Sequence, residues 1–249
     1  MKRSARFVAG LCFAGLVMLP VPTQAGEDEL RKEIDQLKIQ VKALQQDLDQ
    51  IKATLRDQNT RANPVFDTNG SPSMGDAAAK LVLIEFSDFE CPYCGEYLKT
   101  AYPQLLDAYV KTGKIRYVFA DYPGEKIHPH SLKAAEAGRC AADQGKFWPM
   151  HDQLFLRQRD LATTAIADAA QTAGLNRAVF DACLAAGKYT GKIREAEQAT
   201  ATLGVQGTPA FFFGTPDAAN PSKVKLLRAL VGAQTYSAFQ QTIDGLLSK

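Results

Sequence analysis

Cys91 and Cys94 enclose Pro92 and Tyr93 directly after a short apolar segment, and no other part of the chain constrains the fold as strongly. Residues 81–86 have the length and composition of a buried strand, and a stretch compatible with a helix follows to about Lys111. Proline suits the first position of a helix, where its missing N–H has no partner to lose. The sequence therefore places Cys91 at a helix N-terminus, with Cys94 almost one turn further along the same face.

This placement favours a nucleophilic role for Cys91. Unpaired backbone N–H groups and the positive end of the helix dipole stabilise a thiolate and lower its pKa. A thiolate attacks disulfides, and Cys94 is close enough to complete or open a disulfide with Cys91. We interpret the two residues as a redox-active pair.

Two other uses of such a pair are half of a zinc site and a purely structural disulfide. A zinc ribbon needs a second close pair of cysteines, whereas Cys140 and Cys183 lie far apart in the sequence. His128 and His130 are the remaining candidate ligands. We expect neither a bound metal nor a cofactor.

The chain from Lys80 onward has a mixed α/β pattern. After the first strand and its helix we predict a second strand at 115–119, an all-helical insertion over about 128–203, strands at 210–213 and 224–231, and a helix over 236–247. Gly207-Thr208-Pro209 precedes the strand that begins at Ala210. By composition alone Pro209 is an ordinary proline at the start of a strand.

Residues 86–94 (FSDFECPYC), followed far downstream by residues 204–209 (GVQGTP), resemble the DsbA-like periplasmic thiol-disulfide oxidoreductases. The resemblance covers about residues 64–249. It implies a thioredoxin fold, with Cys91 as an exposed nucleophile, Cys94 as its buried partner and Pro209 in cis, packed against the cysteines. It also implies that Thr208, in the loop before the proline, helps to bind unfolded polypeptide.

Glu85 is a third candidate for the chemistry of the site. It shares one strand face with Leu81 and Leu83, and a carboxyl group among apolar neighbours has a raised pKa and can exchange a proton with Cys94. The resemblance likewise implies an acidic residue six positions before the first cysteine. The alternative is a glutamate that reaches solvent at the strand end.

Cys140 and Cys183 both fall within the predicted helical insertion. A disulfide between them closes a loop of roughly 44 residues and stabilises the fold by about 4 kcal/mol on the chain-entropy model. Two inert buried thiols are the alternative. His151 and Trp148, in a stretch rich in aromatic residues, are interpreted as packing residues.

Residues 26–58 have the heptad spacing of a coiled coil. The a positions are Ile34, Val41, Leu48 and Leu55, and the d positions are Leu30, Leu37, Leu44 and Ile51. A parallel pairing brings Glu33 to Lys38 of a second copy and Asp47 to Lys52, whereas an antiparallel pairing opposes like charges. We predict a parallel homo-oligomer, a dimer or a trimer. The alternative is an amphipathic helix folded back on its own domain.

The N-terminus has the pattern of a cleavable export signal: basic residues, an apolar run from Phe7 to Val21, and small residues before Gly26. Removal of residues 1–25 takes away three basic residues and no acidic one, so the formal charge falls from +2 to −1, and nucleic acid is not an expected partner. It also removes Cys12, which leaves four cysteines for an oxidising compartment, expected to be the periplasm. Residues 59–79 are predicted to be a linker.

Oxidases, isomerases and reductases share this motif and differ in redox potential and in the partner that recycles them. Pro-Tyr between the cysteines, with threonine before the proline, resembles the isomerase-like members of the family, and an oligomer gathers several active sites. We therefore favour a disulfide isomerase acting on misdisulfided exported proteins and recycled by a membrane redox partner. A disulfide oxidase is the main alternative; a non-enzymatic scaffold or chaperone and a copper or zinc carrier are the others.

Overall fold

The computed structural model describes residues 24–61 and 64–248, with the side chains of residues 28–52 and 64–248. The predicted export signal and Cys12 lie outside the described residues. Two compact units meet between Arg56 and Asp57, and each is described by itself.

The described part of the first unit belongs to one long helix, α1, which begins at Gln24 and continues past the boundary to Arg61. The helix predicted over 26–58 is present. Seven a and d residues of its heptads, from Leu30 to Ile51, are 42–68 % exposed in the single chain. Ion pairs such as that between Lys38 and Asp35, 3.0 Å apart, lie on its surface and are too solvated to add much stability.

The second unit is a mixed sheet of six strands with helices packed against it. In chain order the strands are β1 (Val65–Asp67), β2 (Ser73–Gly75), β3 (Leu81–Ser87), β4 (Ile115–Asp121), β5 (Ala210–Pro216) and β6 (Lys223–Val231). Their spatial order is β1-β6-β5-β3-β4-β2. Only β3 and β4 pair in parallel; the other neighbours are antiparallel. Every residue of β3 is buried, as its continuous apolar pattern predicted.

The helices of this unit follow the predicted order. They are α2 (Pro92–Leu105), which continues as a π-helical turn over Leu106–Val110, then α3 (Ser131–Ala142), α4 (Phe147–Leu156), α5 (Thr163–Thr172), α6 (Arg177–Ala185), α7 (Thr190–Thr202) and α8 (Tyr236–Leu247). Helices α3 to α7 form the insertion between β4 and β5, and the predicted fold class is confirmed. No helix within the described ranges combines the length and apolarity needed to cross a membrane.

The linker predicted over 59–79 is wrong for much of its length. Strand β1 pairs with β6 and strand β2 pairs with β4, so this segment supplies both edges of the sheet. Phe66 is buried in the core and packs edge-on against Phe86. The prolines and glycines that suggested a linker mark the turns around two very short strands, whose stability comes from pairing with distant parts of the chain.

Candidate functional site

The redox pair lies where β3 passes into α2. Cys91 is the residue that precedes the helix, with extended backbone angles, and Pro92 occupies the first turn, as predicted. The Cys91 carbonyl accepts hydrogen bonds from the backbone N–H groups of Cys94, at 3.1 Å, and Gly95, at 3.2 Å. Cys94 is therefore on the first turn, and its side chain points into the core, where it is fully buried.

Cys91 is not exposed, in contrast to what the resemblance implied: only 4 % of the residue is accessible to solvent. It belongs to an apolar cluster that Phe89 and Cys94 form with residues of the helical insertion. This packing contributes to the burial of Cys91. Tyr93, between the cysteines, is 65 % exposed and marks the side on which the site meets solvent.

The loop before β5 completes the site from the other end of the sequence. Because Ala210 pairs with Phe86, the residues just before β5 lie beside the end of β3 and the start of α2. The Cys91 thiol donates a hydrogen bond to the Thr208 carbonyl over 3.2 Å. The Thr208–Pro209 peptide bond is cis, as the resemblance implied. Gln206 and Gly207, just before it, are exposed.

The two thiols differ in acidity. A hydrogen bond from the Cys94 thiol, with smaller contributions from the Thr208 side chain and from the backbone N–H groups of Cys94 and Tyr93, lowers the pKa of Cys91 to about 6 against the opposing effect of burial. The helix N-terminus thus contributes as predicted, but less than the neighbouring thiol. Burial, the Cys91 sulfur and Glu85 together raise the pKa of Cys94 well above its ordinary value.

Glu85 is buried, with 1 % of its surface exposed, and does not reach solvent. Burial raises the pKa of its carboxyl group, although the Tyr117 hydroxyl donates a hydrogen bond to it and His151 also acts in the opposite direction. The Tyr117 hydroxyl in turn lies 3.2 Å from that of Tyr97. Ser87, two residues further along the same face, is buried, and its hydroxyl has no hydrogen-bond partner among the described residues.

Asp88 holds the loop between β3 and Cys91, a role that the sequence did not reveal. Its carboxylate accepts hydrogen bonds from the backbone N–H of Gly124, at 2.7 Å, and of Glu90, at 2.8 Å, and its Oδ2 lies 2.7 Å from His128 Nδ1. Glu90 accepts a hydrogen bond from the backbone N–H of His130. The segment at 128–130, which we considered for metal binding, thus braces the loop. The described residues contain no group of three or more His, Cys, Asp or Glu arranged to hold a metal ion.

The other cysteine pair lies within the insertion. Cys140 on α3 and Cys183 on α6 form a disulfide whose Cα atoms are 5.9 Å apart. His151 is fully buried among aromatic rings, including those of Phe119 and Trp148, and its Nδ1 lies 2.9 Å from Asp152. Neither the disulfide nor the packing of His151 requires a bound ligand.

Three features define a DsbA-like thioredoxin fold: β3 leads into α2 through Cys91-Pro92-Tyr93-Cys94, the Thr208–Pro209 bond beside this turn is cis, and a helical insertion lies between β4 and β5. A family model described as thioredoxin matches residues 67–233, and the chain belongs to this family.

The chain is also similar to individual curated proteins and solved structures. A region of 164 residues, 66 % of the chain, is 34 % identical to the Na(+)/H(+) antiporter NhaA 3 of Salinispora tropica, and it covers 24 % of that protein. The chain thus spans about a quarter of the length of that relative. A putative protein-disulfide oxidoreductase of Rickettsia bellii is 30 % identical over 146 residues, 56 % of this chain and 55 % of that one. The crystal structure of α-DsbA1 from Wolbachia pipientis superposes with a TM-score of 0.61 at 22 % identity, covering 72 % of this chain and 91 % of that one.

Proposed function

We propose that this protein is an exported thiol-disulfide oxidoreductase that acts on protein disulfides through Cys91 and Cys94. The observation that carries the proposal is the asymmetry of the pair: an acidic thiol at a helix N-terminus next to a buried, weakly acidic one. At neutral pH such a Cys91 is mostly thiolate, while Cys94 keeps its proton. A nucleophile and its resolving partner require this difference.

The proposed exchange proceeds in two displacements. The Cys91 thiolate attacks one sulfur of a substrate disulfide, forms a mixed disulfide and releases the other substrate sulfur as a thiolate. Cys94 then loses its proton and attacks the Cys91 sulfur, which releases the second substrate thiolate and leaves Cys91 and Cys94 oxidised. Oxidation of a substrate is the same sequence in reverse. Isomerisation occurs when a different substrate thiolate attacks the substrate sulfur of the mixed disulfide, which forms a new substrate disulfide and releases the Cys91 thiolate, with no net change in oxidation state.

Glu85 is proposed to exchange the proton of Cys94. Its raised pKa and its influence on the pKa of Cys94 place a weakly acidic carboxyl group within electrostatic reach of the buried thiol. The exposed loop that ends at Thr208 is proposed to bind the extended backbone of the substrate.

We further propose that α1 joins several copies in a parallel homo-oligomer, and that this arrangement favours isomerisation. The exposed a and d residues and the charge pairing of Glu33 with Lys38 and of Asp47 with Lys52 support a second copy as the partner of the helix. Several active sites then face one misdisulfided substrate, and a membrane redox partner keeps them reduced.

Catalysis is tested by insulin reduction and by recovery of scrambled ribonuclease. The direction is tested by thiol trapping in cells: a pair that is mostly reduced at rest supports isomerase or reductase, and a mostly oxidised pair supports oxidase. A protein inactive in both assays would refute the enzymatic proposal.

The oligomer is tested by light scattering. Replacing both Leu37 and Leu44 with lysine places charges at two d positions and should yield monomers, as should a chain that begins near Asn63. Both proteins should still exchange simple disulfides but lose most of their ribonuclease recovery. The matched control is Ile39→Lys, because Ile39 is equally exposed but lies off the stripe. Retention of the oligomer in the double variant would contradict the heptad interpretation.

A further inference from the structure

Gln158, in the turn that follows α4, joins the helical insertion to the redox turn. Its side-chain amide donates hydrogen bonds to two backbone carbonyls, that of Phe89 at 3.0 Å and that of Cys91 at 2.7 Å. These carbonyls lie on the two sides of Glu90, so one carboxamide fixes the chain just before the helix begins.

The packing around Gly95 shows how closely the Gln158 carboxamide approaches α2. A methyl group added at Gly95 would lie 2.1 Å from Oε1 of Gln158 and 2.9 Å from its Cδ, which is far inside contact distance. The space beside the first turn of α2 is therefore filled by the Gln158 carboxamide. A glycine directly after Cys94 is what allows this approach.

The Cys91 carbonyl has a central position in the turn. It accepts the first hydrogen bonds of α2, from Cys94 and Gly95, in addition to the one from Gln158. The N–H groups of Tyr93 and Cys94, which lower the pKa of Cys91, belong to the two peptides that directly follow this one. A group that fixes the carbonyl therefore also fixes the donors around the thiolate.

We propose that Gln158 is a positioning residue for the thiol chemistry, and that it holds the Cys91 backbone so that the N-terminal N–H groups of α2 are aimed at the sulfur. It does not touch the reacting sulfur, and it acts through the main chain. The inference rests on the proposed function, since it assigns a purpose to the turn that carries the nucleophile. It also gives the helical insertion a direct mechanical link to the redox pair.

The test measures the pH profile of Cys91 alkylation in the reduced full-length protein, by mass spectrometry. Gln158→Met keeps the length of the side chain and removes both donated hydrogen bonds. We expect the midpoint of the alkylation profile to lie at a higher pH than in the unaltered protein. The alkylation rate at pH 6 should fall roughly three- to tenfold, a change that corresponds to about one net hydrogen bond. Gln158→Glu should have a larger effect, because its carboxylate faces two carbonyl oxygens.

The matched control is Gln144→Met. Gln144 also bridges backbone groups within the insertion, since it donates to the Asn176 carbonyl and accepts from the Asn176 N–H, but it lies away from the redox turn. This variant should lose stability without any change in the alkylation profile. A merely structural role for Gln158 would have the same signature.

Gly95→Ala should displace the Gln158 carboxamide by another route, and it provides the test if Gln158→Met fails to fold. On its own, Gly95→Ala should raise the midpoint of the Cys91 alkylation profile. Combined with Gln158→Ala, which removes the carboxamide, it should have a smaller effect. Unchanged profiles in Gln158→Met and Gly95→Ala overturn the positioning role but leave the proposed function standing. A natural protein whose Cys91 alkylates no faster than an ordinary thiol overturns the proposed function instead.

Discussion

The two cysteine pairs use the same residue in opposite ways. Cys140 and Cys183 are bonded, join two helices of the insertion and are separated by 43 positions. Cys91 and Cys94 are three positions apart, unbonded in the structure, and surrounded by groups that push their pKa values in opposite directions. Proximity in sequence and a helix N-terminus make a pair easy to open and close, whereas a long separation lets a disulfide cross-link distant parts of the fold. The predictions below test this contrast.

Replacing the nucleophile should have the largest effect. Cys91→Ser removes the only sulfur that the proposed mechanism presents to the substrate, so insulin reduction should fall at least about a thousandfold, since serine is not a nucleophile in this exchange. The double replacement of Cys140 and Cys183 by serine should retain activity below its unfolding temperature. If both variants lose activity equally, the division into a reactive and a structural pair is wrong.

The same double serine variant should be markedly less stable. Loss of the cross-link returns chain entropy to the unfolded state, and for a separation of 43 residues the expected decrease in the free energy of unfolding is about 4 kcal/mol. Chemical denaturation of the oxidised natural protein and of the variant measures the difference. Equal midpoints would show that the disulfide has no stabilising role.

Alkylation should separate the members of the reactive pair. The pKa of Cys91 is lowered to about 6, so its thiolate is present at higher pH, and its labelling rate should be constant above about pH 7 and decline below pH 6. Cys94, with its raised pKa and full burial, should react at least about thirtyfold more slowly at pH 7. Equal rates at the two cysteines, or a Cys91 midpoint above 8, would reject Cys91 as the nucleophile.

Removing the acid beside Cys94 should have the smallest effect on activity. Glu85→Gln keeps an acceptor for Tyr117 but cannot exchange a proton, so the second displacement should slow by roughly tenfold. Because the folded pKa of Glu85 is raised, the stability that its protonated form gives is lost as pH rises through that pKa. The variant should therefore be more stable than the natural protein at alkaline pH. Stopped-flow release of substrate and thermal unfolding between pH 5 and 9 measure both effects, with Glu96→Gln, an exposed position on α2, as the control.

Local patterns were sufficient for most of the fold. The apolar run at Leu81–Phe86, the heptads of α1 and the proline after Cys91 each act within a few residues, so the sequence identified the central strand, the long helix and the position of Cys91 at a helix N-terminus. The resemblance added the cis bond before Pro209, which composition did not indicate.

The remaining features depend on distant contacts. Strands β1 and β2 have only three residues each, too few for a recognisable strand pattern between the turn residues around them. Pairing of β1 with β6 and of β2 with β4 stabilises them. The burial of Cys91 results from packing against the helical insertion. Gln158 is 67 positions from the carbonyl that it binds, in a turn with no periodic signal, and only the folded chain brings the two together.

The order of the cysteines along the chain has a consequence for biosynthesis. Downstream of residue 26 they follow one another as Cys91, Cys94, Cys140 and Cys183, and the native disulfide joins the last two. A growing polypeptide emerges from its N-terminus, so each cysteine meets its own partner before any later one has been made. Pairing in the order of emergence therefore yields the correct connectivity directly, without an intermediate that must be reshuffled. A protein proposed to correct the disulfides of others is thus arranged so that its own need no correction.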